Sequence, residues 1–358
     1  MSKISLSKIL FAGIFILFLT TNFIVFTFLK SNGNKDTFEN RNKTPFPTLI
    51  ADNYKAYFTS IENYFSDNFQ FKYDYISNIK YLRRKLFNFS NANKKVIYGK
   101  EGWMFLNACI YSDIKGMDEY CGLFPWTPKQ AKHAVDNIET IKKFCEKNNI
   151  LFIPIICPSK HTIYYDKLPP VYKKYQNNRY DELMIQSNGS LINYRELFIA
   201  QKAILPYPLY YKTDTHWNPL GAYFSVMDIS KILNKKFPEI PSLTLNDITI
   251  NKTISPVGLD LAKMEVINYD VEEDNVQINL TTKIPNKVHK AFIIHDSYYD
   301  YMKVELKQLF DVTEERELFK KPITAKEILD NKPDIFILEI VERYLDEING
   351  DLDKGFYK

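Results

Sequence analysis

The chain has 358 residues, a formal net charge of +4 and a charged share of 25%. That length exceeds an average domain, but one large α/β domain absorbs most of it. The charge is nearly balanced and forms no basic stripe, which excludes a nucleic-acid footprint. Hydrophobic residues make up 45% of the chain, an ordinary share for a packed globular core.

Residues Ile9 to Leu29 carry no charge. About 20 apolar residues span a bilayer as a helix. Lys3 and Lys8 precede the run, and Lys30 and Lys35 follow it, so charge orients it only weakly. A signal peptide would end in a small-x-small cleavage site, and Thr27-Phe28-Leu29-Lys30 offers none. Residues 1–30 are therefore expected to form an uncleaved, single-pass membrane anchor. Residues 31–52 read as a polar linker.

From residue 53 the apolar pattern becomes helical, with Tyr54, Tyr57, Phe58, Ile61, Tyr64 and Phe65 at three- and four-residue spacing as far as residue 89. Thr127-Pro128 opens an amphipathic helix to residue 148. Ile150 to Cys157 is an apolar, β-branched strand, and Leu191 to Tyr194 reads as another short strand. Asn218-Pro219 starts a helix through Lys236. Residues 240–285 look irregular. Lys290 to Ile294 is a strand with a helix after Ser297, and Asp334 to Val341 is a last buried strand. Strands alternating with helices predict a mostly parallel sheet with helices on both faces, an α/β/α sandwich over residues 53–350, followed by a short tail at 351–358.

Of the four cysteines, Cys109, Cys121, Cys145 and Cys157, none forms a Cys-x-x-Cys pair, and no His stands at a zinc-ligand offset. No metal is expected. Cys109 and Cys121 either close a loop outside the cytoplasm or remain thiols.

Ser297 follows an apolar strand in Ile293-Ile294-His295-Asp296-Ser297, where open α/β sheets place their sites. At a helix start, free N–H groups and the dipole would stabilise an oxyanion; an N-capping Asp-Ser fits the same residues. A serine nucleophile needs a base and an orienting group. Of the five His, His133 and His289 read as surface residues, His161 has no nearby acid, and His295, two residues before Ser297, is poorly placed to take its proton; His216 has Asp214 two residues earlier. The carboxylate can fold back onto Nδ1 and leave Nε2 free. A capping Asp beside a packed His fits equally, and spacing alone cannot bring His216 to Ser297.

The segment Lys212-Thr213-Asp214-Thr215-His216-Trp217-Asn218-Pro219-Leu220-Gly221 resembles the signature of the SGNH hydrolase-like AlgX/AlgJ family of alginate O-acetylation. Gly99-Lys100-Glu101-Gly102-Trp103, Pro158-Ser159-Lys160, Leu259-Asp260-Leu261-Ala262 and His295-Asp296-Ser297 resemble that family in the same order. The resemblance implies a permuted SGNH domain in which Asp214 orients, His216 is general base and acid, and Ser297 is the nucleophile. His295 stands where the wider superfamily has Gly, which leaves the oxyanion donor open. His295, Trp217, Lys160, Tyr164 and Arg343 are expected to line the cleft. Trp103 and Phe105 read either as a sugar platform or as a packed β-hairpin.

The implied activity is transfer of acetyl, through a serine acyl-enzyme, to hydroxyls of an exopolysaccharide or cell-wall glycan. No cofactor is implied. Acetyl-coenzyme A is not available outside the cytoplasm, so a membrane-bound O-acyltransferase (MBOAT) partner is implied as the acetyl source. The catalytic domain is then periplasmic or extracellular at the cell membrane. An acetyl esterase with the same triad, and a non-catalytic polysaccharide-binding scaffold, are the competing readings.

Overall fold

The computed structural model describes residues 95–107, 116–255, 259–265, 273–284 and 287–357, with shorter runs at 10–17, 20, 35–36, 41–48, 54–69, 72, 75–76, 78–79 and 82. The chain forms two compact units, residues 1–89 with 263–268 and residues 90–262 with 269–358.

In the first unit, residues 10–17 of the expected anchor are helical and exposed, and most of the remaining run lies outside the described residues. Among the described residues, no helix is long and apolar enough to cross a membrane. Within the expected linker, residues 35–36 and 41–42 pair antiparallel. Helix α1 (Tyr54–Asn68) follows. The Asp67 carboxylate accepts from the Thr44 backbone N–H and hydroxyl at 2.9 and 2.7 Å, fastening the incoming chain to the last turn. The helix predicted to residue 89 lies mostly outside the described residues beyond that point.

The second unit is built on a four-stranded sheet. Strands β1 (Val96–Tyr98) and β2 (Met104–Leu106) form a separate antiparallel hairpin. Its turn needs glycine twice. Gly102 has φ +81°, and a Cβ on Gly99 would stand 2.4 Å from the Lys167 carbonyl. Trp103 and Phe105 are buried, and Trp103 stacks on Tyr164 with ring centroids 4.0 Å apart. The packed hairpin is thus the observed alternative, and the sugar platform is not.

Helix α2 (Pro128–Lys147) starts with a capping box between Thr127 and Gln130 and Pro at its first turn. It packs on β3 (Leu151–Cys157). Helices α3 (Arg179–Ser187), α4 (Tyr194–Ile204) and α5 (Pro219–Lys236) follow, and α4 and α5 also touch β3. Strands β4 (Ile248–Ser255) and β5 (Glu273–Leu280) pair antiparallel over eight residues each. Then come β6 (Lys290–His295), β7 (Asp311–Glu317) and β8 (Ile335–Val341). The sheet order is β3-β8-β6-β7 with every pairing parallel, the expected α/β arrangement. Every residue of β8 is buried, as the centre of a parallel sheet requires.

Several elements differ from expectation. Leu191 to Tyr194 is not a strand. Asn193 accepts from the Glu196 N–H and caps α4 at Tyr194, so capping overrides the short apolar run. Residues 240–285 are not wholly irregular, because they contain β4 and β5, whose faces alternate weakly. Strand β7 reads as polar (DVTEERE) because it is an edge strand paired only with β6. Only one 3₁₀ turn (Ser297–Tyr301) and a four-residue helix follow Ser297.

Candidate active site

Strand β6 ends at His295 and delivers Asp296 and Ser297 at the carboxyl edge of the sheet. Asp296 fixes this turn. Its Oδ1 accepts from Tyr298 N–H at 2.8 Å, and its Oδ2 accepts from Val341 N–H at 2.6 Å, which ties the end of β6 to the end of β8. The Asp296 N–H donates to Glu339 Oε2 at 3.0 Å, and Cys157 Sγ donates to Glu339 Oε1 at 3.0 Å. Burial pushes the Glu339 carboxyl well above its usual range, and the neighbouring Asp296 charge adds to this. Ser297 itself is exposed.

The second half of the site is the loop before α5. It closes on itself through a bridge between Tyr210 and Trp217 and a 3.4 Å bond from Tyr211 N–H to the His216 carbonyl. Asn218 caps α5 by accepting from Gly221 N–H at 2.9 Å. A Cβ on Gly221 would stand 2.1 Å from the Leu209 carbonyl, which explains glycine in the Asn-Pro-x-Gly segment.

At this junction, His216 Nδ1 lies 2.7 Å from Asp214 Oδ1 and His216 Nε2 lies 2.8 Å from Ser297 Oγ. A carboxylate only accepts, so Nδ1 carries the proton and Nε2 accepts from the serine hydroxyl. Burial raises the Asp214 carboxyl, but the hydrogen bond and charge of His216, together with Lys160, outweigh it and hold the group below its ordinary range. The arrangement can take a proton from Ser297 while Asp214 compensates the resulting imidazolium.

Lys160 fills the inside of the loop. Its ammonium donates to the carbonyls of Tyr211 and Lys212 at 3.1 Å each and of Asp214 at 2.5 Å. Burial lowers its pKa to about 8, offset in part by Asp260, Asp214 and Glu273. Two carboxylates complete the frame, and neither was assigned a role from sequence. Asp260 accepts from Thr215 N–H at 2.9 Å. Glu273 accepts from Lys212 N–H at 2.6 Å and from Thr213 N–H at 2.8 Å. Burial raises both carboxyls. Asp260 stands in a segment that carried the family resemblance, whereas nothing in the sequence marks Glu273.

The other residues expected at the cleft are all buried. Trp217 donates from Nε1 to the Tyr298 carbonyl at 2.9 Å and so joins the histidine loop to the serine turn. Tyr164 accepts from Leu209 N–H at 2.9 Å through its hydroxyl. His295 Nδ1 lies 2.8 Å from the Asp296 carbonyl. The Arg343 guanidinium lies over the Tyr298 and Tyr344 rings. An oxyanion stabilised by a helix start is not what the turn provides. Asp296 already occupies the Tyr298 N–H, and a single 3₁₀ turn has little dipole.

Asp214, His216 and Asp260 bring ligand atoms within 4.8 Å of one another, spacing that would suit a cation. Those atoms are engaged with each other and with Thr215 N–H, and the Lys160 ammonium already supplies positive charge beside them.

No curated protein sequence matches the chain. Among solved structures, the O-acetyltransferase domain of Pseudomonas putida AlgJ is 16% identical with a TM-score of 0.46, covering 73% of this chain and 94% of that one. Bacillus cereus PatB1 with a sulfonyl adduct is 16% identical with a TM-score of 0.48, covering 71% and 96%. Pseudomonas aeruginosa AlgX is 15% identical with a TM-score of 0.42, covering 71% and 67%. Likeness at that level carries no function. Residues 96–264 match the family model described as the SGNH hydrolase-like domain of acetyltransferase AlgX; the match includes Asp214 and His216 and stops before Ser297. The part of the chain that holds the Asp214–His216 pair thus belongs to the AlgX family of SGNH hydrolase-like domains.

Proposed function

We propose that this chain is an O-acetyltransferase that moves acetyl through Ser297 onto hydroxyls of a polysaccharide. One observation carries the reading: the unbroken line from Asp214 through His216 to Ser297 Oγ, with links of 2.7 and 2.8 Å. Ser297 Oγ attacks the donor's acetyl carbonyl as its proton passes to His216 Nε2. The tetrahedral intermediate then collapses, and the departing donor oxygen or sulfur takes that proton. In the second half, a sugar hydroxyl gives its proton to Nε2 and attacks the acyl-serine carbonyl, and Ser297 recovers the proton as the ester leaves. Asp214 stays ionised throughout.

The family resemblance supports the rest of the scheme. The uncharged run at Ile9–Leu29 supports a membrane anchor with the catalytic domain periplasmic or extracellular. An MBOAT-type partner is the matching acetyl source, and a tether beside it raises effective concentration. The exposed Ser297 favours esterase activity as the second reading, because water can reach an acyl-enzyme there.

A serine-directed sulfonyl fluoride should label Ser297 in the full chain, as read by peptide mass spectrometry. Ser297→Ala and His216→Ala should each lose about a thousandfold or more of acetyl transfer to an oligosaccharide. Transfer at the wild-type rate by either variant would sink the proposal. Release of free acetate that added oligosaccharide does not redirect would select the esterase.

A further inference from the structure

A cavity of about 730 Å³ lies in the second unit, apart from the Asp214–His216–Ser297 line. Thr162, one residue beyond His161, is on its wall. Its volume is in the range of ordinary ligand sites, roughly 300–1,000 Å³. The starts of α3 and α4 face it with Asn178, Asp181, Asn193 and Glu196, and the Tyr165 ring and Ile199 supply apolar wall. Tyr165 is 53% exposed; Lys202, held by Asp166 and the Ile163 carbonyl, has its ammonium 5.6 Å from the ring centroid.

The charges on this wall cancel. Lys174 pairs with Asp181 at 2.5 Å. Arg195 donates to Asp181 at 2.8 Å, to Glu342 at 2.7 Å and to Asn178 Oδ1 at 3.1 Å, and its guanidinium lies 4.0 Å from the Tyr180 ring centroid. Both lining cations are therefore engaged, while Glu196 adds an exposed carboxylate. The helix starts attract no anion either, because Asn178 and Asn193 already cap the N–H groups of Asp181 and Glu196. A polyanion would meet carboxylates without a free cation.

The side-chain amides of Asn177 and Asn193 add polar edges to the same wall. Aromatic and aliphatic wall, amide edges and no net charge suit a pyranose ring, whose C–H faces stack while its hydroxyls accept and donate.

We propose that this cavity is a binding subsite for uncharged pyranose residues of the acceptor glycan. The ligand class stands on the cavity itself; its role as acceptor rests on the acyl-transfer reading. The test uses the full chain carrying Ser297→Ala, so that binding is read without turnover. Hexamers of β-linked glucose or N-acetylglucosamine are titrated by calorimetry at about 0.15 M salt, in parallel with a uronate hexamer. The neutral hexamers should bind at least tenfold more tightly than the uronate. Adding Tyr165→Ala should weaken the neutral sugar about tenfold, and adding Glu196→Lys should narrow the gap to the uronate by removing like-charge repulsion. Uronate binding as tight as neutral sugar, an unchanged Kd with Tyr165→Ala, or no neutral binding up to about 10 mM would each overturn the proposal. The two readings fail separately. Acylation of Ser297 by a small acetyl ester without sugar binding removes the subsite and keeps acyl transfer. Sugar binding without acylation keeps the ligand and removes the transfer.

Discussion

The loop carrying His216 and the turn carrying Ser297 reach the same site by opposite routes. The serine turn is fixed by the sheet: Asp296 joins the ends of two adjacent parallel strands, and Ser297 follows directly. The histidine loop is fixed by side chains sent from elsewhere, namely Lys160, Asp260 and Glu273. One half borrows the stiffness of a buried backbone. The other depends on a buried ammonium among carbonyls and carboxylates, an arrangement that is strong when complete and costly when one member is lost. Damage to the loop should therefore act more severely than damage to the turn.

Lys160→Met is the harshest way to test this. It leaves three carbonyls and the neighbouring carboxylates without their cation, and a loss of about 3–5 kcal/mol is expected by urea unfolding. Any folded fraction should have lost acetyl transfer, since the loop sets where Nε2 stands. A loss under about 1 kcal/mol would refute the ammonium-centred account of the loop. The same residue gives a pH signature. With its pKa lowered from 10.5 to about 8, Lys160 loses its third N–H donor as pH rises through 8, and activity should fall there. Stability should respond in the opposite sense. The unfolded chain binds more protons than the folded one between about 8 and 10.5, so this group's contribution rises with pH across that window. Comparing activity and Tm profiles of wild type and Lys160→Arg, whose cation does not titrate in that range, checks both signs.

Asp296→Ala is the matching lesion on the serine side. It orphans the Tyr298 and Val341 N–H groups in the core, at about 2–4 kcal/mol for the two. The sheet beneath stays paired, so the protein should remain folded. Labelling of Ser297 by the sulfonyl fluoride should slow more than stability alone explains. Equal labelling rates in the variant and wild type would show that Asp296 does not position Ser297.

The two halves were also unequally legible. Strands β6 and β8 announce themselves as apolar runs because a central parallel strand is buried on both faces, and β3, though at the sheet edge, does so because α2, α4 and α5 pack on it. The Asp214-x-His216 pair and Ser297 were readable as residue types, and the Asn-Pro-x-Gly segment resolves into a cap, a helix start and a close approach at Gly221. What holds the loop was not readable. Glu273 acts across 60 residues of sequence and Asp260 across 45, separations at which no local pattern survives. Trp217, Lys160 and Arg343 were expected to line the cleft, and burial shows that they face other elements of the fold. Strand β7 was missed because an edge strand keeps its polar residues.

Trp217 is where the two routes meet, and it gives the mildest and most informative break. Its indole N–H donates to the carbonyl of Tyr298, the residue after the serine, while its backbone continues from His216. Trp217→Phe keeps an aromatic ring against Phe198 but removes the indole donor to that carbonyl, so about 0.5–1.5 kcal/mol of stability should be lost. The decisive quantity is the coupling. If the indole is a tie between the halves, beside the 3.1 Å bond from the Tyr298 hydroxyl to the Thr215 carbonyl, Trp217→Phe should be non-additive with Asp296→Ala by about 0.5 kcal/mol or more, since both alter the turn that holds Tyr298. Additive effects within about 0.3 kcal/mol would mean that the indole does not couple the halves, and that the Tyr298 hydroxyl on the Thr215 carbonyl and the 2.8 Å contact between His216 and Ser297 join them without it.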